Sequence, residues 1–349
     1  MTARQARPNV AVVPREPVAV LAYPPADVER EARALAALCP RPARVGAVWC
    51  GTAGWTDPTL IACGRFYPAN ATSPADRLAH YASHFPMVEV DATYHAIPSP
   101  SVAQRWVERT PNGFVFDVKA HPVLTGHPLE RARLPKHLIE ALAGVRPDKR
   151  RLYPRDLPAE VRDELVARFC AVLEPLQAAD KLGCVMIQLP PWTTATRGAV
   201  RDLERLPDLL PGVRLAVEFR HPSWLEEGRR ARVFDLLRAN RLAYTVVDEP
   251  DVPGAGVPPI VTATRTDLAV VRFHGHNVAG WRSGASVLER FNYLYSAQQI
   301  RAWAAPVRQL ADQASQVHAV FNNCVRDFAV LNAKDLAAVL AASAAPPAG

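Results

Sequence analysis

Glu89, Asp91, Lys119, Gln188, Glu218, Arg220, Arg272, His274, Asn322 and Asn323 each stand at or just past the end of an apolar run. Their types are those of proton transfer and anion binding. Carboxyls set among cations can have their pKa values driven apart, one kept ionised and another kept protonated, as a general base and a general acid require. Glu218 and Asp91 are therefore expected to exchange protons. Lys119 is expected to serve as a charge for an anionic group or as a Schiff-base nucleophile, and the first is favoured because desolvated catalytic lysines are uncommon. Arg220 and Arg272 are expected to hold anionic groups, with Gln188, Asn322 and Asn323 orienting a substrate. Trp55, Tyr94, His121 and His221 complete the expected binding set. The bland alternative is that Glu218, Arg220, Asp91, Lys119 and Arg272 form an ion-pair network that closes the fold.

The apolar runs that must position these groups are 45–50, 87–93, 114–119, 184–189, 213–220, 242–248, 269–274 and 317–323. Buried parallel strands are apolar almost throughout, so eight such runs alternating with helical stretches predict a single (β/α)8 barrel of the TIM type, an α/β fold. Strand side chains alternate faces. Val88 and Val90 then face one way and Glu89, Asp91 and Thr93 the other. Leu215, Val217 and Phe219 oppose Glu218 and Arg220, while Asp117 and Lys119, and Arg272 and His274, share a face. Helices cover the outside of a barrel, so the polar set must point inward, at the C-terminal end where barrel active sites lie.

His95, His121, His221, His274 and His276 follow strand ends, and with Glu89, Asp91 and Glu218 they make a divalent metal possible. No H-E-x-x-H and no H-x-H within a strand supports one, so no cofactor is predicted. Trp55, Tyr67, Tyr94, Trp192, Trp224 and Trp281 follow strands and could stack on a sugar or a base, although packing within loops is the commoner use of such rings.

Of 349 residues, 49% are hydrophobic, enough for a large core. There is no apolar run of about 18 residues and no secretory signal, and six cysteines lack a C-x-x-C pair, so a reduced, cytoplasmic protein off the membrane is expected. The net charge of +7 is concentrated: residues 1–44 carry seven Lys/Arg against four Asp/Glu, and His127–Glu160 eight against five. The barrel itself is nearly neutral, so nucleic acid is possible as a partner but not favoured over a small molecule.

Residues 1–44 are expected to be a largely disordered extension, with one short helix over Asp27–Cys39, and 343–349 a loose tail around a barrel domain at 45–342. His121 to about Leu157 is the longest irregular stretch, functional or inserted. Helices are expected at Ser73–Phe85, Ser99–Thr110, Ala159–Leu182, Arg197–Leu210, Gly228–Asn240, Ala297–Ala314 and Arg326–Ala342. Glu249–Thr262 is too short and too rich in Pro and Gly for one.

These residues fall in a recurrent pattern. G-T-A-G-W (51–55), F-Y-P (66–68), Y-A-S-H-F-P-M-V-E-V-D-A-T-Y (81–94), V-K-A-H (118–121) and Q-L-P-P (188–191) come first. V-E-F-R-H-P-S-W (217–224), V-R-F-H-G (271–275), Y-L-Y-S (293–296), F-N-N (321–323) and N-A (332–333) follow. In these motifs the chain resembles the YecE-like proteins, the domain of unknown function 72 family, over about residues 46–340. The resemblance implies a TIM-type barrel and a site, but no reaction. Members usually read T-F-Y where this chain has Thr93-Tyr94-His95, so His95 stands outside the shared pattern. The leading expectation is an enzyme working by acid/base chemistry, as a hydrolase or isomerase, on a small polar, sugar-like or phosphorylated substrate. A metal-dependent hydrolase or isomerase and a non-enzymatic nucleic-acid-binding module are the alternatives.

Overall fold

The structure, a computed structural model, describes residues 11–12, 24–252, 256–282 and 286–343. Eight parallel strands form its centre: β1 (Val48–Thr52), β2 (Met87–Val90), β3 (Val115–Lys119), β4 (Leu182–Gln188), β5 (Leu215–Glu218), β6 (Leu242–Asp248), β7 (Ala269–Phe273) and β8 (Val317–Phe321). They lie in the order β1-β8-β7-β6-β5-β4-β3-β2, and the first and last meet at a single parallel bridge between Ala53 and Glu89. A short antiparallel strand, Arg44–Val45, flanks β1. Closure depends on Gly51: a Cβ there would stand 2.6 Å from the Met87 carbonyl oxygen, so any larger residue would push β1 and β2 apart.

Helices cover this sheet: α1 (Ala26–Ala36), α2 (Pro74–Ala82), α3 (Pro100–Glu108), α4 (Ala159–Ala178), α5 (Arg197–Glu204), α6 (Glu227–Ala239), α7 (Ala297–Ala311) and α8 (Phe328–Ala342). Ser73 caps α2 in a full capping box with Asp76, with Pro74 at the first helical position. Ser99 begins α3 in the same way but makes no side-chain cap bond. Pro175 lies inside α4 without ending it. The Arg197–Leu210 stretch divides at Arg205 into α5 and a four-residue turn of helix. Between β6 and β7 the described residues contain only the two-residue strand Ile260–Val261, as the Pro/Gly content predicts.

The outward-facing strand residues Val88, Val90, Leu215, Val217 and Phe219 join the large core under the helices, so the alternation read from sequence holds. Inside the barrel, Trp49, Met87, Val115 and Val320 pack on one side, and Cys184, Met186, Ala216, Ala243 and Val270 on the other.

Two segments are more ordered than the sequence suggests. Helix α1 docks on the barrel: Ala32 packs with Leu294, Phe328 and Leu331, and Arg33 and Arg65 both pair with Asp327. Ala11–Val12 pairs antiparallel with Ile260–Val261. The disorder expected for the rest of residues 1–23, and the tail expected beyond 343, fall outside the described residues. The supposedly irregular stretch after β3 is a small packed unit. Its strands Leu129–Glu130 and Arg151–Leu152 pair antiparallel, and Leu129, Leu134, Leu138, Leu142, Leu152 and Leu157 form a cluster against Val161 and Leu165 of α4. Arg131 ties its loop together, donating to the carbonyls of Leu142, Val145, Arg146 and Lys149. No helix among the described residues is long and apolar enough to cross a membrane.

Candidate functional site

Arg272 on β7 organises the C-terminal end of the barrel. Its guanidinium is fully buried and spans the interior, donating to Glu218 of β5 at 2.5 Å and to Glu89 of β2 at 2.6 Å. Glu218 accepts three more donors: Gln188 Nε2 at 2.7 Å, Arg220 Nη1 at 2.9 Å and His274 Nε2 at 3.2 Å. Arg220 forks onward to Glu249 Oε2 at 3.0 Å, and the Trp281 ring lies over it at 5.0 Å. Asn322 Nδ2 lies 2.9 Å from His274 Nδ1. An amide nitrogen can only donate, so Nδ1 accepts and the His274 proton sits on Nε2, aimed at Glu218. Burial lowers the His274 pKa to about 4 despite Glu218, so this imidazole is a neutral donor.

Asp91 follows β2, and Lys119 closes β3. Lys119 Nζ lies 3.3 Å from Asp91 Oδ1 and 5.1 Å from the centre of the Tyr94 ring. Thr93 Oγ1 donates to the Lys119 carbonyl at 2.6 Å, joining the two strand ends. Asp91 is half-buried and faces the mouth, whereas Glu89 beneath it is sealed.

Glu89 and Asp91 lie two residues apart on the inward face of one strand end, each acting on the titration of the other, and Asp91 Oδ1 is buried without a hydrogen-bond partner. Glu89 Oε2 has no donor of its own. Two ionised carboxylates cannot bond to each other, and one proton between them satisfies both. The charge balance asks for the same proton: Lys119, Arg220 and Arg272 face four carboxyls, Glu89, Asp91, Glu218 and Glu249. Burial raises the Glu89 pKa to about 8, against the pull of Arg272, and the Asp91 charge adds to the rise. Burial acts upward on Asp91 too, but Lys119, Arg272 and the bond from Glu89 outweigh it, so Asp91 is held below its ordinary value. Glu218 is the opposite case to Glu89. Burial would raise it, but Arg272, His274 and Arg220 hold it well below the usual carboxylate range. It is a fixed anion with its lone pairs occupied, a poor match to the proton exchange expected of it from sequence.

Asp117 faces inward, as strand alternation assigns it, but pairs across the interior with a residue outside the mouth group. His318 Nδ1 lies 2.8 and 3.0 Å from its two oxygens. His318 precedes Val320, the register partner of Arg272, by two residues, so this pair sits one layer nearer the N-terminal end. Gly183 makes room for it, since a Cβ there would stand 2.2 Å from Asp117 Oδ1. With Cys184 these residues are the described group whose metal-ligand atoms come within 4.8 Å of one another. Asp117 is committed to His318 Nδ1, His318 Nε2 is buried without a partner, and all three residues are fully buried. Three of the five histidines expected around a metal are engaged elsewhere: His274 with Glu218 and Asn322, His276 with Asp248 at 2.9 Å, and His221 with the Ser223 hydroxyl and backbone N–H. His318 was missed by the sequence reading, although the alternation that turns Asn322 inward also turns Val320 and His318 inward.

Several rings and one amide are elsewhere than expected. Trp55 packs edge-on against Trp106 and Phe116 in the outer core, so it offers no indole to a ligand. Trp224 is fully buried, stacked 4.6 Å from Phe219. Asn323 turns outward and donates to the Tyr293 carbonyl and to Asn332 Oδ1, pinning α8 instead of facing the mouth. Tyr94 and the half-exposed Trp192 remain at the mouth, each edge-on to His127. His121 lines a neighbouring cavity with Tyr94 and His95.

Relatives carry the same barrel. A DUF72 family protein from Enterococcus faecalis superposes with a TM-score of 0.68 at 24% identity, covering 84% of this chain and 95% of that one. A DUF72 family protein from Thermotoga maritima gives 0.65 at 29% identity, covering 83% and 97%. The UPF0759 protein YunF of Bacillus subtilis is 29% identical over 297 residues, 84% of this chain and 94% of YunF. The UPF0759 protein YecE of Escherichia coli K12 is 30% identical over 192 residues, 54% of each. The model for the "protein of unknown function DUF72" matches residues 49–348, from the first barrel strand to the end of α8 and beyond, and the chain belongs to the DUF72 family.

Proposed function

We propose that this protein is an acid/base enzyme acting on a small polar substrate at the mouth of the barrel, with the Glu89–Asp91 pair as its proton carrier. The observation that carries this reading is a pair of neighbouring carboxyls in which Glu89 Oε2 and Asp91 Oδ1 are both buried without a hydrogen-bond partner. Asp91 is open to the mouth and relays the proton held by Glu89 to a substrate atom, taking it onto its own carboxylate before giving it up. Once the proton leaves, both carboxyls are ionised, a state that the burial of Glu89 opposes, so the pair takes a proton back readily. The Lys119 ammonium beside Asp91 stabilises negative charge that develops on the substrate.

Glu218 has a different part in this scheme. Four donors fix it as an anion that holds Arg272, Arg220, Gln188 and His274 in place, and Arg272 in turn positions Glu89. Preorganised charge of this kind is what barrel active sites use to stabilise transition states.

The test begins with a thermal-shift screen of metabolites, since a ligand at about 100 times its Kd adds about 2.7 kcal/mol of stability. Turnover of each hit is then followed by mass spectrometry. Asp91→Asn is expected to reduce kcat by about 100-fold or more while Tm stays within a few degrees, the usual size of a general acid/base contribution. Full turnover by Asp91→Asn would refute the assignment.

A further inference from the structure

Beside the mouth, the inserted unit and the ends of β2 and β3 enclose a cavity of about 170 Å³. Its walls carry His121, Tyr94, His95, Arg133, Arg151 and Glu130. Pro122, Pro128, Leu129 and Leu134 complete the lining, and among the polar groups donors outnumber the single carboxylate, Glu130. His121 is 4% exposed, and its Nδ1 accepts the backbone N–H of Val123 at 3.4 Å. That bond leaves the proton on Nε2, so the ring offers the cavity a donor of fixed tautomer. Burial lowers its pKa to about 4, which keeps the ring neutral. Arg133 Nε and Arg151 Nη2 both lean on one carboxylate, Glu130, at 3.1 and 3.3 Å. Two guanidiniums thus share a single negative charge, and their remaining N–H groups are available to a second anion.

We propose that this cavity binds the phosphoryl group of a phosphorylated substrate. The proposal rests on the acid/base reading above and names the substrate class for it. Three donor residues line the cavity from three separate elements: the end of β3, the turn after Glu130, and the second strand of the inserted hairpin. A tetrahedral group with several acceptor oxygens uses all three directions, whereas a flat carboxylate uses two. A phosphoryl group fills only part of this cavity, and the rest of the substrate extends from it. Tyr94 forms the shared wall, with Lys119 against its ring and Asp91 just beyond. A phosphoryl group at His121 would therefore leave the carbon skeleton facing the Glu89–Asp91 pair. The basic insertion becomes the part of the chain that selects the substrate.

Calorimetric titration of the full chain at constant ionic strength tests this, with inorganic phosphate as one probe and acetate as the other. Saturable phosphate binding is expected, at least tenfold tighter than acetate. The doubly substituted Arg133→Ala/Arg151→Ala chain, altered only at exposed positions, is expected to lose at least tenfold in phosphate affinity, and His121→Phe to weaken it as well. Asp91→Asn should bind phosphate at least as tightly as the wild type, so loss of the acid/base reading leaves this result unaffected. Absence of saturable phosphate binding, equal binding of acetate, or unchanged affinity in the double variant would each overturn the proposal.

Discussion

Glu89→Gln isolates the shared proton without needing a substrate. The amide mimics the protonated carboxyl: its oxygen can accept from Arg272 as Glu89 Oε1 does at 2.6 Å, and its NH2 can donate to Asp91. The folded-state pKa of Glu89 lies at about 8, above the ordinary 4.5. Below about pH 4.5 the carboxyl is protonated in both the folded and unfolded chains, and it has no effect on the pH dependence. Between about 4.5 and 8 the unfolded chain releases the proton and the folded chain retains it, so wild-type stability falls as pH rises. The slope for one proton is about 1.4 kcal/mol per pH unit, which gives a ceiling of about 4 kcal/mol between pH 5 and pH 8. Coupling to Asp91 reduces this, and about 2–4 kcal/mol is expected. Urea unfolding of both proteins at pH 5, 6, 7 and 8 measures it. Glu89→Gln should match the wild type at pH 5 and exceed it progressively toward pH 8, since the other titrating groups cancel in the difference. A difference that stays within about 1 kcal/mol over that range would refute the shared proton.

Three further outcomes follow from packing and charge. Arg272→Met strips the cation from two buried carboxyls, and urea unfolding at pH 7 should show a loss of about 3–5 kcal/mol, the usual result of breaking a buried pair on one side. Gly183→Ala drives a methyl group into Asp117 Oδ1, and a lowered urea midpoint equivalent to about 1–3 kcal/mol is expected. Trp55→Ala should cost about 3–5 kcal/mol by thermal or chemical unfolding, because the indole is core, whereas Trp192→Ala, 55% exposed, should stay within about 0.5 kcal/mol.

The eight strands and the inward set Glu89, Gln188, Glu218, Arg272 and His274 were legible because a strand repeats every two residues. Once helices are assigned to the outside, one apolar residue fixes the face of its neighbours. Asn323 was misread by the same rule applied one residue too far: Asn322 faces the mouth, so Asn323 must turn away. The order of the insertion was hidden because its leucines are spaced across two short strands, a helix and a turn, and no single period runs through them. Trp55 was misjudged because sequence places a ring in a loop but not the direction in which it packs.

Roles within the site were a different matter. Sequence supplied the carboxyls and cations and the end of the barrel where they meet. Which carboxyl holds the proton depended on contacts across the interior, between residues as distant as Glu89 and Arg272, and on how many donors each one met. Glu218 meets four and stays ionised; Glu89 meets one and a second carboxyl, and keeps a proton. A pKa is set by burial and by charges a few ångströms away. Side-chain alternation decides which residues enter the barrel, and only the closed tertiary structure decides which of them touch.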